Sequence, residues 1–192
     1  MNGILPHGKT DPGIIREIFA ARAPETNGYS VEKILDAYVA HLRQEVELSS
    51  TYCVLPGVTR LLDQLWNRPN VLLGLATGNV EKGARIKLER GSLNRYFAFG
   101  GFGSDSEERA VLVRRAAELA ALRCGTVVPP EDVFVIGDTP LDIGAGRAAG
   151  FQTIGVATGK FTTDELAAAG ATLSLRDFEV DDDQFFRATR IE

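Results

Sequence analysis

Gly137-Asp138-Thr139-Pro140-Leu141-Asp142 follows directly on the apolar run Val133–Ile136 and leads into Leu141–Ala149, a helical span stopped by Gly150. Gln152–Val156 comes next as a second strand-sized apolar run. Strand, acidic turn, helix, glycine and strand in that order make one βαβ step. Outward from this step the same alternation recurs. Val71–Ala76 reads as a strand before Thr77-Gly78-Asn79 and a polar helix that ends near Gly91. A strand over about Phe97–Phe102 precedes a helix from about Glu107 to Arg123, and a short helix (Asp164–Ala169) precedes a last strand, Thr172–Leu175. The acidic Asp181–Asp183 reads as a solvated helix start. The alternation predicts a doubly wound parallel α/β sheet, a Rossmann-like three-layer core with helices on both faces.

Upstream the rhythm is helical. Asp11 is a candidate cap, Pro12 suits the first helical position, and Ile14, Ile15, Ile18 and Phe19 form a stripe. Beyond a loop at Pro24–Gly28, Ser30 opens a second helix with Val31, Ile34, Leu35, Tyr38, Val39, Leu42 and Val46 at helical spacing. These helices predict an α-helical cap over residues 1–50, with the α/β core over 51–192. Pro56-Gly57 is a turn before a helix at Val58–Trp66.

Composition removes other classes. The chain has 192 residues, 44% hydrophobic, with 26 acidic against 21 basic residues, so nothing marks it as disordered or as a binder of nucleic acid. Its apolar runs are far short of the ~20 residues a membrane helix needs. No signal segment opens it, and a cytoplasmic location is expected. The 2 cysteines, Cys53 and Cys124, build no disulfide framework and read as buried small residues or incidental thiols. With only His7 and His41, a histidine-based site has little support. Oligomeric state is not legible.

Ligands of open α/β sheets bind outside the carboxyl ends of strands. Thr77-Gly78-Asn79 offers a hydroxyl, a glycine and a helix N-terminus, either an anion seat or a plain capped turn. Asp138 and Asp142 place two hard carboxylates at a second mouth, suited to Mg²⁺. The competing reading is that Asp138 caps the helix and Asp142 is solvated in its first turn. Arg109, in Ser104-Asp105-Ser106-Glu107-Glu108-Arg109, is either a surface residue or the cation that phosphoryl chemistry needs. Lys82 and Lys87 are alternative cations. Gly144-Ala145-Gly146-Arg147-Ala148-Ala149-Gly150 lies too far past Ile136 for a dinucleotide fingerprint.

Together these loops resemble the haloacid dehalogenase (HAD) superfamily of phosphohydrolases, in its phosphoglycolate-phosphatase-like branch with a helical cap. Ala76-Thr77-Gly78-Asn79 resembles the second motif, implying that Thr77, Gly78 and Asn79 hold the transferring phosphoryl group. Gly137–Asp142 resembles the fourth, implying that Asp138 ligates Mg²⁺ and Asp142 supports the metal site. Arg109 stands where the third motif usually has lysine. Gly8-Lys9-Thr10-Asp11-Pro12 resembles the segment leading into the cap, which makes Lys9 and Thr10 candidates to reach substrate. The resemblance implies Mg²⁺-dependent hydrolysis of a small phosphorylated metabolite through an aspartyl-phosphate.

The family's first motif, D-x-D-G-T after an apolar strand, is absent: no Asp precedes Asp11. That motif supplies the nucleophile, the general acid/base and the central strand, so the chain is expected to lack that strand and to be inactive as written. The alternative is a non-catalytic phosphate-binding or regulatory domain of the same fold.

Overall fold

The predicted apolar runs pair as parallel strands, in two groups. In the computed structural model, which describes residues 8–22 and 29–191, β1 (Leu75–Thr77) pairs with β2 (Gly100–Phe102). β3 (Phe134–Gly137), β4 (Gln152–Val156) and β5 (Leu173–Leu175) form the second group in that order. Leu75 lies opposite Gly100, Phe134 opposite Gln152 and Ile154 opposite Leu173. Among the described residues β1 and β3 do not pair with each other.

Eight α-helices are described: α1 (Asp11–Ala21), α2 (Val31–Leu48), α3 (Val58–Trp66), α4 (Glu81–Arg90), α5 (Arg109–Cys124), α6 (Pro140–Ala149), α7 (Thr163–Ala168) and α8 (Asp182–Thr189). α5 packs on β1 and β2, α6 on β3 and β4, and the two helices pack on each other. The two strand groups therefore share one layer beneath a joined helix pair. On the other face α3 buries Leu61 and Leu65 against Ile154, Val156, Leu175, Phe178 and Phe185, and Val71, Leu73 and Phe134 pack onto that cluster. Each such side chain contributes about 1.5–3 kcal/mol when fully buried. The result is the three-layer α/β core that the alternation predicts, with α2 laid across α4 and α1 against α2.

Four details differ from the sequence reading. Val71–Ala76 and Phe97–Phe102 shorten to β1 and β2, because the ladder begins only where the Leu75 amide donates to the Phe99 carbonyl (3.0 Å), past a 3₁₀ turn at Asn94–Tyr96. Thr10, not Asp11, caps α1: its hydroxyl accepts from the Gly13 amide (3.2 Å). Cys53 and Cys124 are both exposed, which overturns the buried alternative and leaves that of incidental thiols. Asp181 is not solvated but 5% exposed. The readings of Met1–Pro6, His7 and Pro24–Gly28 lie outside the described residues.

The Asp181 carboxylate accepts from the Arg176 amide (2.7 Å) and from Gln184 Nε2 (3.0 Å). The Arg176 amide foremost, with the Arg176 guanidinium, holds its pKa below the ordinary aspartate value of 3.8. A depressed carboxyl stabilises the fold above its unfolded pKa, and that contribution is lost as pH falls through the folded pKa. Asp181→Asn should therefore be less stable than the parent at pH 7 and nearly equal to it well below pH ~4. Urea unfolding of both proteins across that range checks this. A deficit independent of pH would assign the loss to packing.

Candidate functional site

Both predicted mouths form at the carboxyl ends of their strands, and one strap of chain touches them both. Residues 8–10 run across the top of the sheet. A Cβ on Gly8 would stand 2.6 Å from Leu141 Cδ1, beside the turn after β3. A Cβ on Gly78 would stand 2.3 Å from the Lys9 carbonyl oxygen, at the turn after β1, so the strap lies flat on a backbone that only glycine leaves open. The Asp11 amide then donates to the Gly78 carbonyl (2.7 Å). Farther along α1, Arg16 pairs with Glu107, two residues before Arg109. The strap and α1 thus meet all three loops selected from sequence.

At the first mouth Thr77, half-buried, accepts the Asn79 amide on Oγ1 (3.2 Å), which closes the turn. No side chain of its own caps α4. Its head is served by Asp11, whose carboxylate accepts from the Val80 amide (2.9 Å) and from Asn79 Nδ2 (3.0 Å). A carboxylate there is favoured by the helix dipole. Lys87, one helical face along α4, donates from Nζ to Asn79 Oδ1 (3.0 Å). Lys82 is exposed.

At the second mouth Asp142 is 9% exposed, not solvated in the helix first turn. Its Oδ2 accepts from the Thr139 amide (3.1 Å) and hydroxyl (2.7 Å), which with the Asp142 amide on Thr139 Oγ1 (3.3 Å) makes a reciprocal capping box. Its Oδ1 holds the guanidinium of Arg109, so that cation is joined to the β3 turn. Asp138 is exposed, and its Oδ2 lies against Gly159, where a Cβ would come within 2.2 Å. Among the described residues no three acidic, histidine or cysteine side chains gather as a metal cage.

Lys9 and Thr10 are committed to the chain itself. Lys9 Nζ pairs with Glu17 (2.7 Å), and Thr10 is 2% exposed beneath the strap. Sequence reasoning missed the bridging role of Asp11 because a residue before an apolar helix reads as a cap whether it serves its own helix or another. Gly159 was also missed, although it follows β4 and the rule that selected the other loops covers it.

Residues 109–179 match the family model described as HAD-hydrolase-like. No curated protein matches the chain in sequence. Among solved structures, a hydrolase from Pseudomonas syringae superposes with TM-score 0.69 at 19% identity, over 95% of this chain and 80% of that one. A haloacid dehalogenase-like family hydrolase from Streptococcus pneumoniae gives TM-score 0.55 at 17% identity, over 69% and 59%. A predicted phosphoglycolate phosphatase from Haemophilus somnus gives 0.59 at 18%, over 77% and 61%. These likenesses fix the fold, and this chain spans about three-fifths of the latter two.

Proposed function

We propose, from the premise that this chain is HAD-like in its fold and, over residues 109–179, in its sequence, that its site serves hydrolysis of a small phosphate monoester. The observation that carries the reading is the meeting of three separate loops at one end of the sheet under a single strap. Thr77 offers a hydroxyl and Gly78 a backbone amide in the turn before α4, a seat for a phosphoryl group, while the Asn79 and Val80 amides are taken by Thr77 and Asp11. Arg109 supplies permanent positive charge, aimed by Asp142.

Mg²⁺ fits the donor chemistry in a limited way. Such ions are commonly held by one or two carboxylates together with substrate phosphate. Asp138 would be that carboxylate. Asp142, with both oxygens engaged by Arg109 and Thr139, would support the site by holding them. When bound, the ion supplies charge stabilisation to the transferring phosphoryl group. The chain's own residues bind and orient that group, and the half-buried strap covers one side of the seat. Substrate choice would belong to the helical cap, residues 1–50.

The sequence holds no D-x-D-G-T, so the 192-residue chain should show no Mg²⁺-dependent turnover of p-nitrophenyl phosphate. A fusion that adds an apolar strand ending in D-x-D-G-T ahead of Gly8 should turn it over, and Thr77→Val, Arg109→Ala or Asp138→Asn should each abolish most of that gain. Turnover by the chain alone, lost in Asp138→Asn, would demand a different nucleophile. A fusion that folds and binds phosphate but stays inactive would favour the non-catalytic phosphate-binding domain.

A further inference from the structure

α1 meets the seat loop through one side chain, Asp11, and that side chain is held by an amide which can face two ways. Asn79 offers one oxygen and one NH₂ group. Its Nδ2 donates to Asp11 Oδ1 (3.0 Å) and its Oδ1 accepts from Lys87 Nζ (3.0 Å). A 180° turn of the amide would set NH₂ against the ammonium and oxygen against the carboxylate, two like-sign contacts at once. Lys87 is half-buried, and its ammonium also stands 6.0 Å from the centre of the Tyr38 ring of α2. It belongs to the core, yet the chain it starts ends on the cap.

We propose that Lys87 is a positioning residue: through the Asn79 amide it holds Asp11, and so keeps α1 and the strap docked on Gly78. Lys87, Asn79 and Asp11 form a line of charge-assisted hydrogen bonds from α4 to α1. Asp11 then fixes the strap twice more, through Val80 (2.9 Å) and through its own amide to Gly78 (2.7 Å). Charge-assisted bonds are roughly twice as strong as neutral ones. Loss of the ammonium leaves the amide oriented by Asp11 alone with its oxygen unpaired, which weakens the Asn79–Asp11 bond. The importance of this docking for phosphate binding rests on the proposed function. The docking itself does not, and it is measured without turnover.

The experiment is amide hydrogen exchange on the whole chain. In Lys87→Met the α1 amides should exchange at least about tenfold faster, while those of β4 stay protected. Lys87→Arg, which can still donate to Asn79, should restore α1 protection. Asp11→Asn should loosen α1 likewise, and Lys87→Met added to it should change little further, because both act on one contact. Four results would overturn the proposal: parent-like exchange of α1 in Lys87→Met, no rescue by Lys87→Arg, additive effects in the double variant, or equal loss of protection in β4.

Discussion

Asp142→Ala should cost about 3–5 kcal/mol of stability, the penalty typical of removing one member of a buried ion pair. The pair is well sheltered: the side chains of Arg109 and Asp142 are 20% and 11% exposed. Arg109 Nε is already buried without a hydrogen-bond partner, so the guanidinium has no second acceptor in reserve there. The same substitution dissolves the Thr139 capping box, typically worth another ~1 kcal/mol. Against a total of about 5–15 kcal/mol for a native domain, the loss is severe. Urea unfolding should show the midpoint falling by more than about 1 M. Combining Asp142→Ala with Arg109→Met should recover part of it, since no charge then remains unpaired. A deficit below ~1 kcal/mol in the single variant would mean that water screens the pair, and that Asp142 does not aim Arg109.

That pair also shows where sequence reading succeeds and stops. The alternation of Val133–Ile136, Leu141–Ala149 and Gln152–Val156 made the β3–α6–β4 step legible, because strand and helix periods differ and Gly150 marks the stop. Gly150 does take a left-handed φ of 86°. The three loops were legible through the rule that sites follow strands. The use of each side chain was not. Read locally, Asp142 is a solvated first-turn carboxylate, because the partner that engages it, Arg109, lies 33 positions away. Asp11 and Asn79 are 68 positions apart, and nothing local distinguishes an aspartate capping its own helix from one reaching across to α4. Strand ends were misjudged for the same reason. Leu72 and Gly74 have the composition of a strand interior, but a ladder exists only where a partner backbone lies alongside.

A peptide bearing an apolar strand that ends in D-x-D-G-T should raise the melting temperature of this chain. Strands of a parallel sheet with helices on both faces are normally buried on both sides. Here Ile136 of β3 is 43% exposed and Leu72, just before β1, is 46% exposed. Ala76 of β1 is exposed as well. β1 and β3 carry edges that, among the described residues, do not meet. α5 rides on β1 and β2, α6 on β3 and β4, and the two helices are in contact, so both open edges belong to one layer. A parallel strand there would pair with both edges and cover Ile136, as in strand addition generally. At a peptide concentration ~100 times Kd the linkage is worth about 2.7 kcal/mol, or roughly 5–10 °C for a chain of this size. A scrambled peptide of equal composition should do nothing. Without the peptide, the open edges should make the chain prone to associate on warming. A soluble monomer that melts cooperatively above ~65 °C, past the usual mesophile range, and ignores the peptide would contradict this. It would mean that β1 and β3 are satisfied by contacts of their own, and that the fusion's added strand has nowhere to pair.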